Sequence, residues 1–333
     1  MSVNVAIVGA TGAVGQEFLN ILAERDFPIK TLTLLASARS AGKTAEFKGE
    51  RYTVEELTHD SFRDVQIALF SAGGSISKEY GPSAVKAGAV VVDNSSAFRM
   101  KDGVPLVVPE VNPEQIHKHN GLIANPNCST IIMNVPVWPL HKINRVKRMI
   151  VSTYQAVSGA GAWGLYELEN QQKQAAGGLA ITQEKFPHQI VNNLFSHNTP
   201  IGPEGYNEEE MKMVKETRKI FGDARMMITA TCIRVPVPRA HSESINLEFE
   251  RPITPGEVRQ ILSEAPGVKI VDDSTANHFP MPLEASGQDD VLVGRIRQDI
   301  SRDDGRGIDL FIAGDQIRKG AATNAVQIAE KLI

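Results

Sequence analysis

Val3-Asn4-Val5-Ala6-Ile7-Val8-Gly9-Ala10-Thr11-Gly12-Ala13-Val14-Gly15 begins as an apolar run of strand length, turns on glycines, and enters the helical spacing of Phe18, Leu19, Ile21 and Leu22. A strand, a glycine turn and a helix in this order form the cradle that a dinucleotide pyrophosphate requires. The glycines let the backbone approach the phosphates, and the N–H groups at the helix start meet their charge. Gly9-x-x-Gly12-x-x-Gly15 is a variant of the usual fingerprint, and a glycine pattern alone is weak; its place at the head of an α/β pattern strengthens it. Gly9, Thr11, Gly12, Ala13 and Val14 are therefore candidate cofactor contacts.

Working outward, the next predicted strand, residues 31–36, ends in Ser37-Ala38-Arg39-Ser40 rather than in the acidic residue that would hold an NAD ribose hydroxyl. Arg39 and Ser40 suit a 2′-phosphate, which favours NADP; a solvated basic loop is the bland alternative. Strand, helix and strand patterns follow at 66–71, 75–87 and 89–93, as in a parallel, doubly wound sheet. After about residue 145 the texture changes. Strand patterns now succeed one another at 149–157, 226–237, 244–250, 291–298 and 308–313, the last two joined by a hairpin connection at 301–307. This predicts a mixed or antiparallel sheet with a few helices, one of them at 207–221. The closing stretch, 320–333, has helical spacing and is expected to return to the first domain.

The whole-chain quantities agree with this. A length of 333 residues predicts two domains, and 42% hydrophobic residues suffice for two cores. A net charge of −4 gives no basic excess for nucleic acid or an anionic membrane, and no apolar run has spanning length. Two cysteines make no disulfide framework, and the N-terminal residues have no secretory pattern, so a soluble, cytoplasmic protein is expected.

Those cysteines differ in setting. Cys232 sits among small and β-branched residues and reads as sheet filling, whereas Cys128, in Asn125-Pro126-Asn127-Cys128-Ser129-Thr130, stands before a long apolar helix pattern. A thiol at a helix N-terminus has its thiolate stabilised by the helix N–H groups and dipole; a buried structural thiol is the alternative. Joined to a nicotinamide cofactor, such a thiol suggests aldehyde oxidation through a thiohemiacetal and a thioester, or the reverse reduction of an activated acyl group. That chemistry needs a base, oxyanion donors and cations for an anionic substrate. Arg234-Val235-Pro236-Val237-Pro238-Arg239-Ala240-His241 offers a histidine and two arginines at a proline-fixed strand end, while most histidines sit in polar surroundings, as do His117 and His119, which read as a solvated helix face. No histidine or cysteine pair has metal-ligand spacing, so no metal is expected.

Further stretches join these: Ser95-Ser96-Ala97-Phe98-Arg99, Tyr154-Gln155-Ala156-Val157-Ser158-Gly159-Ala160-Gly161, Glu209-Glu210-Met211-Lys212 and Ile317-Arg318-Lys319-Gly320-Ala321-Ala322. In this order, with the glycine turn and the Cys128 and His241 stretches, the chain resembles the bacterial type of aspartate-semialdehyde dehydrogenase nearly end to end. The resemblance implies an α/β fold: an N-terminal Rossmann-like NADP-binding domain, residues 1–127 with 315–333, and a mixed-sheet α+β catalytic and dimerisation domain, residues 128–314. That is an architecture like that of glyceraldehyde-3-phosphate dehydrogenase.

The resemblance also implies roles. Cys128 would be the acylated nucleophile, His241 the acid-base residue, Gln155 the group that orients the intermediate, and Asn127 an oxyanion or phosphate contact. Arg234 would grip the substrate carboxylate, Arg99 and Lys212 the phosphate, and Glu209 the amino group. Ser158, Gly159 and Gln316 would lie near the nicotinamide, Gln316 standing where the family often has asparagine. The implied reaction is NADPH-dependent reductive dephosphorylation of 4-phosphoaspartate to aspartate semialdehyde with release of phosphate, on the route to lysine, threonine, methionine and diaminopimelate. A homodimer formed through the mixed sheet is implied as well. Two alternatives stay open: a related acyl-phosphate reductase, against which Glu209-x-x-Lys212 speaks, and a non-catalytic NADP-binding sensor.

Overall fold

The computed structural model describes residues 2–333, which divide into two compact units: the chain up to Asn127 together with Gly320–Ile333, and Cys128–Lys319. The first unit opens with β1 (Val3–Val8), α1 (Ala13–Glu24), β2 (Ile29–Ala36), the β3–β4 hairpin (Thr44–Phe47, Glu50–Glu56) and β5 (Ile67–Phe70). It continues with α2 (Gly74–Lys86), β6 (Val90–Asp93) and β7 (Leu122–Ala124). Its sheet has the order β3-β4-β2-β1-β5-β6-β7, parallel except at the β3–β4 edge. Strands β1, β5 and β6 are buried on both faces, which is why they read as continuous Val, Ile, Leu and Ala runs. The order reverses between β1 and β5, and the glycine turn leaves β1 at that switch point, where such sheets bind ligands.

The second unit begins at α3 (Cys128–Ile143) and β8 (Val146–Gln155). It proceeds through α4 (Ala162–Ala176), β9 (Phe195–Ser196), α5 (Glu208–Phe221), β10 (Met227–Arg234) and β11 (His241–Phe249). It closes with α6 (Pro255–Ser263), β12 (Val268–Ile270), α7 (Pro282–Ala285), β13 (Val291–Gln298) and β14 (Gly307–Gly314). Its mixed sheet runs β12-β13-β14-β11-β8-β10-β9. Helix α3 is buried almost all round, with Pro136 and Pro139 inside it, and packs against α5, α6 and the sheet. It lies so near β14 that a Cβ on Gly314 would come 2.9 Å from Ile132 Cγ2. Along β8, Met149, Val151 and Thr153 face this interior and Ile150, Ser152 and Tyr154 face away. After a π-turn at Arg318–Ala322, helix α8 (Thr323–Glu330) joins the first unit's core through Ala325, Val326, Ile328 and Ala329, so the closing helix begins three residues later than its spacing predicts. No described helix is long and apolar enough to cross a membrane.

Candidate active site

Three strand ends meet in the second unit. Gln155 ends β8, Arg234 ends β10 beside it in parallel register, and His241 begins β11, whose Ser242 pairs with Tyr154. Residues far apart in sequence are thereby delivered to one end of the sheet. The residue after β8 joins two of them through its own peptide groups: Ala156 N–H donates to His241 Nδ1 at 3.0 Å, and Ala156 O accepts from Arg234 Nη1 at 2.6 Å. The N–H groups of Val157 and Ser158 then donate to the carbonyls of Val237 and Pro238, which holds the proline loop leading into His241.

Cys128 is the first residue of α3, and its Sγ lies 3.6 Å from His241 Nε2. Because His241 Nδ1 accepts a backbone N–H, the neutral ring carries its proton on Nε2, the nitrogen facing sulfur. Burial, then the charge of Arg234, push this imidazole down to about 3; Glu209 opposes the fall and His197 adds to it. His241 is thus a neutral N–H donor at physiological pH. Cys232, inside β10, is fully buried, and burial pushes its thiol far above the ordinary value.

Arg234 is 2% exposed. Its partners are the Ala156 carbonyl, His197 Nε2 at 2.8 Å from Nη2, and the Phe186 ring, whose centroid is 5.8 Å from Cζ; none of them is a carboxylate. Burial works against its charge, while Glu209 and Cys128 favour it. A buried guanidinium without an anionic partner is costly unless a ligand supplies one. Asn207 caps α5 in a capping box with Glu210, which sets Glu209 and Lys212 on one face of the first turn. Glu209 accepts from Gln155 Nε2 at 3.1 Å and from Lys212 Nζ at 3.0 Å.

Gly159 stands over the pair: a Cβ there would lie 3.2 Å from Arg234 Nη1 and 3.3 Å from His241 Nε2. The Gln316 amide donates to Ser158 Oγ and accepts the Ala240 N–H at 2.8 Å, holding Ala240 in a left-handed conformation, φ 69°, just before His241. The structure thus links Cys128, Gln155, Ser158, Gly159, Glu209, Lys212, Arg234, His241 and Gln316 in one set of contacts. Arg99 and Asn127 belong to the first unit, where the Arg99 guanidinium donates to the carbonyls of Asn125 and Asn94 at 2.9 and 2.7 Å. His197 was not singled out by the sequence: it follows a two-residue strand, in a polar stretch that reads as loop.

In the first unit, a cleft of about 470 Å³ is lined by Gly9, Thr11, Gly12, Ser37, Arg39 and Ser40 among others. Gly12 is the N-cap of α1 and provides no side-chain cap, so the helix N–H groups are not claimed by a capping side chain. Arg39 is exposed at this cleft, whose floor is built by glycines.

Residues 4–119 match the semialdehyde dehydrogenase NAD binding domain and residues 137–319 the semialdehyde dehydrogenase dimerisation domain. Aspartate-semialdehyde dehydrogenase of Synechocystis sp. is 56% identical over 331 residues, covering 99% of this chain and 97% of that one. The chain belongs to the aspartate-semialdehyde dehydrogenase family. A crystal structure of aspartate semialdehyde dehydrogenase II from Vibrio cholerae, complexed with ASA, superposes with a TM-score of 0.97 at 46% identity, over 100% of this chain and 98% of that one. The family member from Candida albicans, solved with NADP, is 26% identical with a TM-score of 0.78, over 100% and 98% of the two chains.

Proposed function

We propose that this dehydrogenase, acting in the reductive direction, converts 4-phospho-L-aspartate to L-aspartate 4-semialdehyde and phosphate through a thioester on Cys128. One observation carries the reading: a helix-start thiol 3.6 Å from His241 Nε2 shares its site with Arg234, a buried cation that bonds no carboxylate among the described residues. Cys128, its thiol proton already lost to solvent, adds as the thiolate to the acyl carbon, and His241, the acid-base residue of the site, meets with its Nε2 proton the oxygen that becomes negative. Expulsion of phosphate leaves the thioester. NADPH, when bound, would supply the hydride that reduces the acyl carbon; the C–S bond then breaks, returning its electrons to the Cys128 sulfur and releasing the aldehyde.

Arg234 receives the substrate's α-carboxylate, Gln155 orients the acyl group, Glu209 faces the amino group, and Lys212 and Arg99 serve the phosphate, with Asn127 beside the nucleophile. Gly9, Thr11, Gly12, Ala13 and Val14 hold the cofactor pyrophosphate; Arg39 and Ser40 take a 2′-phosphate; Ser158, Gly159 and Gln316 attend the nicotinamide. Residues 1–127 with 315–333 bind NADP, and 128–314 form the catalytic and dimerisation domain. The outward sheet face, with Tyr154 and Phe311 in ring contact, suits a second copy of the chain in a homodimer. The reaction serves lysine, threonine, methionine and diaminopimelate synthesis in the cytoplasm.

The test is NADPH formation from L-aspartate 4-semialdehyde and phosphate, run beside N-acetylglutamate semialdehyde and glyceraldehyde 3-phosphate, with NAD in parallel. Phosphate-dependent turnover of the first aldehyde with NADP is expected. Preference for another aldehyde would move the substrate pocket while keeping Cys128; no turnover at all would leave an NADP-binding sensor.

A further inference from the structure

His197 is built into the site without being accounted for by the chemistry above. Its place is fixed by the short antiparallel pairing of β9 with β10, Phe195 opposite Arg234, and by its own N–H donating to Cys232 O at 2.8 Å. The ring is mostly buried and touches Arg234: Nη2 stands 2.8 Å from Nε2. A guanidinium has donors and no acceptor, so Nε2 accepts, and the ring proton is on Nδ1, 3.3 Å from Thr199 Oγ1. That hydroxyl oxygen also accepts the Glu209 N–H at 3.2 Å, which ties the ring to the start of α5. Burial depresses this imidazole to about 4; Glu209 opposes the fall, and Arg234 and Lys212 add to it, so it remains an acceptor at physiological pH.

A cation normally recruits a carboxylate. Here one arm of Arg234 is held by a carbonyl and the other by a neutral imidazole, which orient the guanidinium without bonding it to a carboxylate. We propose that His197 is a positioning residue for substrate-carboxylate recognition, holding Arg234 in place as a neutral acceptor so that its charge is kept for the ligand. A glutamate at this position would orient the same arm but neutralise it. The inference rests on the proposed role of Arg234.

The probe is succinate, whose carboxylates have the spacing of the substrate's two ends, protecting Cys128 from alkylation by iodoacetamide. His197→Ala should raise the half-protecting succinate concentration by roughly ten- to hundredfold, the loss expected for one charge-assisted hydrogen bond. The alkylation rate without succinate should change less than about threefold. His197→Gln, whose Oε1 can replace Nε2 as acceptor, should restore most of the protection. Equal loss in the Ala and Gln variants, an unchanged succinate requirement in His197→Ala, or no protection of the wild type overturns the proposal. Wild-type turnover of L-aspartate 4-semialdehyde, measured alongside, reports separately on the proposed reaction, because the protection ratio needs no turnover.

Discussion

The two candidate sites are built from different materials. The nucleotide cleft is made by backbone: a contiguous turn whose glycines permit close packing, backed by amides at a helix start. The candidate active site at the end of the second sheet is made by side chains on separate strands and helices, held together by the two peptide groups of Ala156. A change in the first kind of site should damage the fold before the chemistry. A change in the second should damage the chemistry and spare the fold.

The sharpest separation comes from Cys128→Ala. Turnover should fall by about 10⁴-fold or more, as for other covalent nucleophiles, while NADPH affinity measured by fluorescence titration stays within about twofold of wild type. Substantial residual turnover would remove the thioester from the mechanism. A matching loss of NADPH binding would show that the two sites are not separable.

A pair of glycines tests the contrast directly. Gly9 has φ +88°, and a Cβ there would come within 2.5 Å of Ser71 O, a backbone atom that cannot step aside. Gly9→Ala should cost on the order of 2–4 kcal/mol of stability, seen as a lowered thermal midpoint. Gly159 has no left-handed backbone, and its nearest neighbours are the working atoms of Arg234 and His241. Gly159→Ala should therefore melt close to wild type, within about 1 kcal/mol, yet lose roughly 10–100-fold in kcat/KM, since small misplacements of catalytic groups are expensive. A variant of Gly9 that melts normally, or of Gly159 that melts early, breaks the contrast.

The same difference in construction governs what the sequence discloses. The glycine turn and the β1, β5 and β6 runs are legible because their determinants are local and periodic. The β3–β4 hairpin is not legible because its strands lie at the sheet edge and are mostly exposed and polar, nor is α4, whose mixed, mostly polar pattern gives no apolar stripe. Cys128 stands out through its helix, and Arg234 and His241 through a proline-bounded strand end. His197 has no such mark. Its significance comes from Arg234, 37 positions away, through a strand pairing of two residues that no local pattern announces. The tautomer of His241 is likewise invisible without the Ala156 N–H.

The smallest expected effect concerns Glu243, two residues beyond His241 on the same face of β11. It is fully buried, and neither carboxyl oxygen has a protein partner, so burial raises its pKa well above the ordinary 4.5. The native state therefore keeps a proton that the unfolded chain releases. Stability associated with this group is complete below the unfolded pKa and declines as pH rises toward the folded one. Glu243→Gln has nothing to titrate and escapes the decline. The thermal midpoint of the variant relative to wild type should thus climb as pH rises above the unfolded carboxyl pKa, while Cys128 alkylation stays unchanged at pH 7. Parallel midpoint curves would mean that Glu243 does not hold its proton, and the catalytic sheet would then contain a buried carboxylate charge close beneath His241.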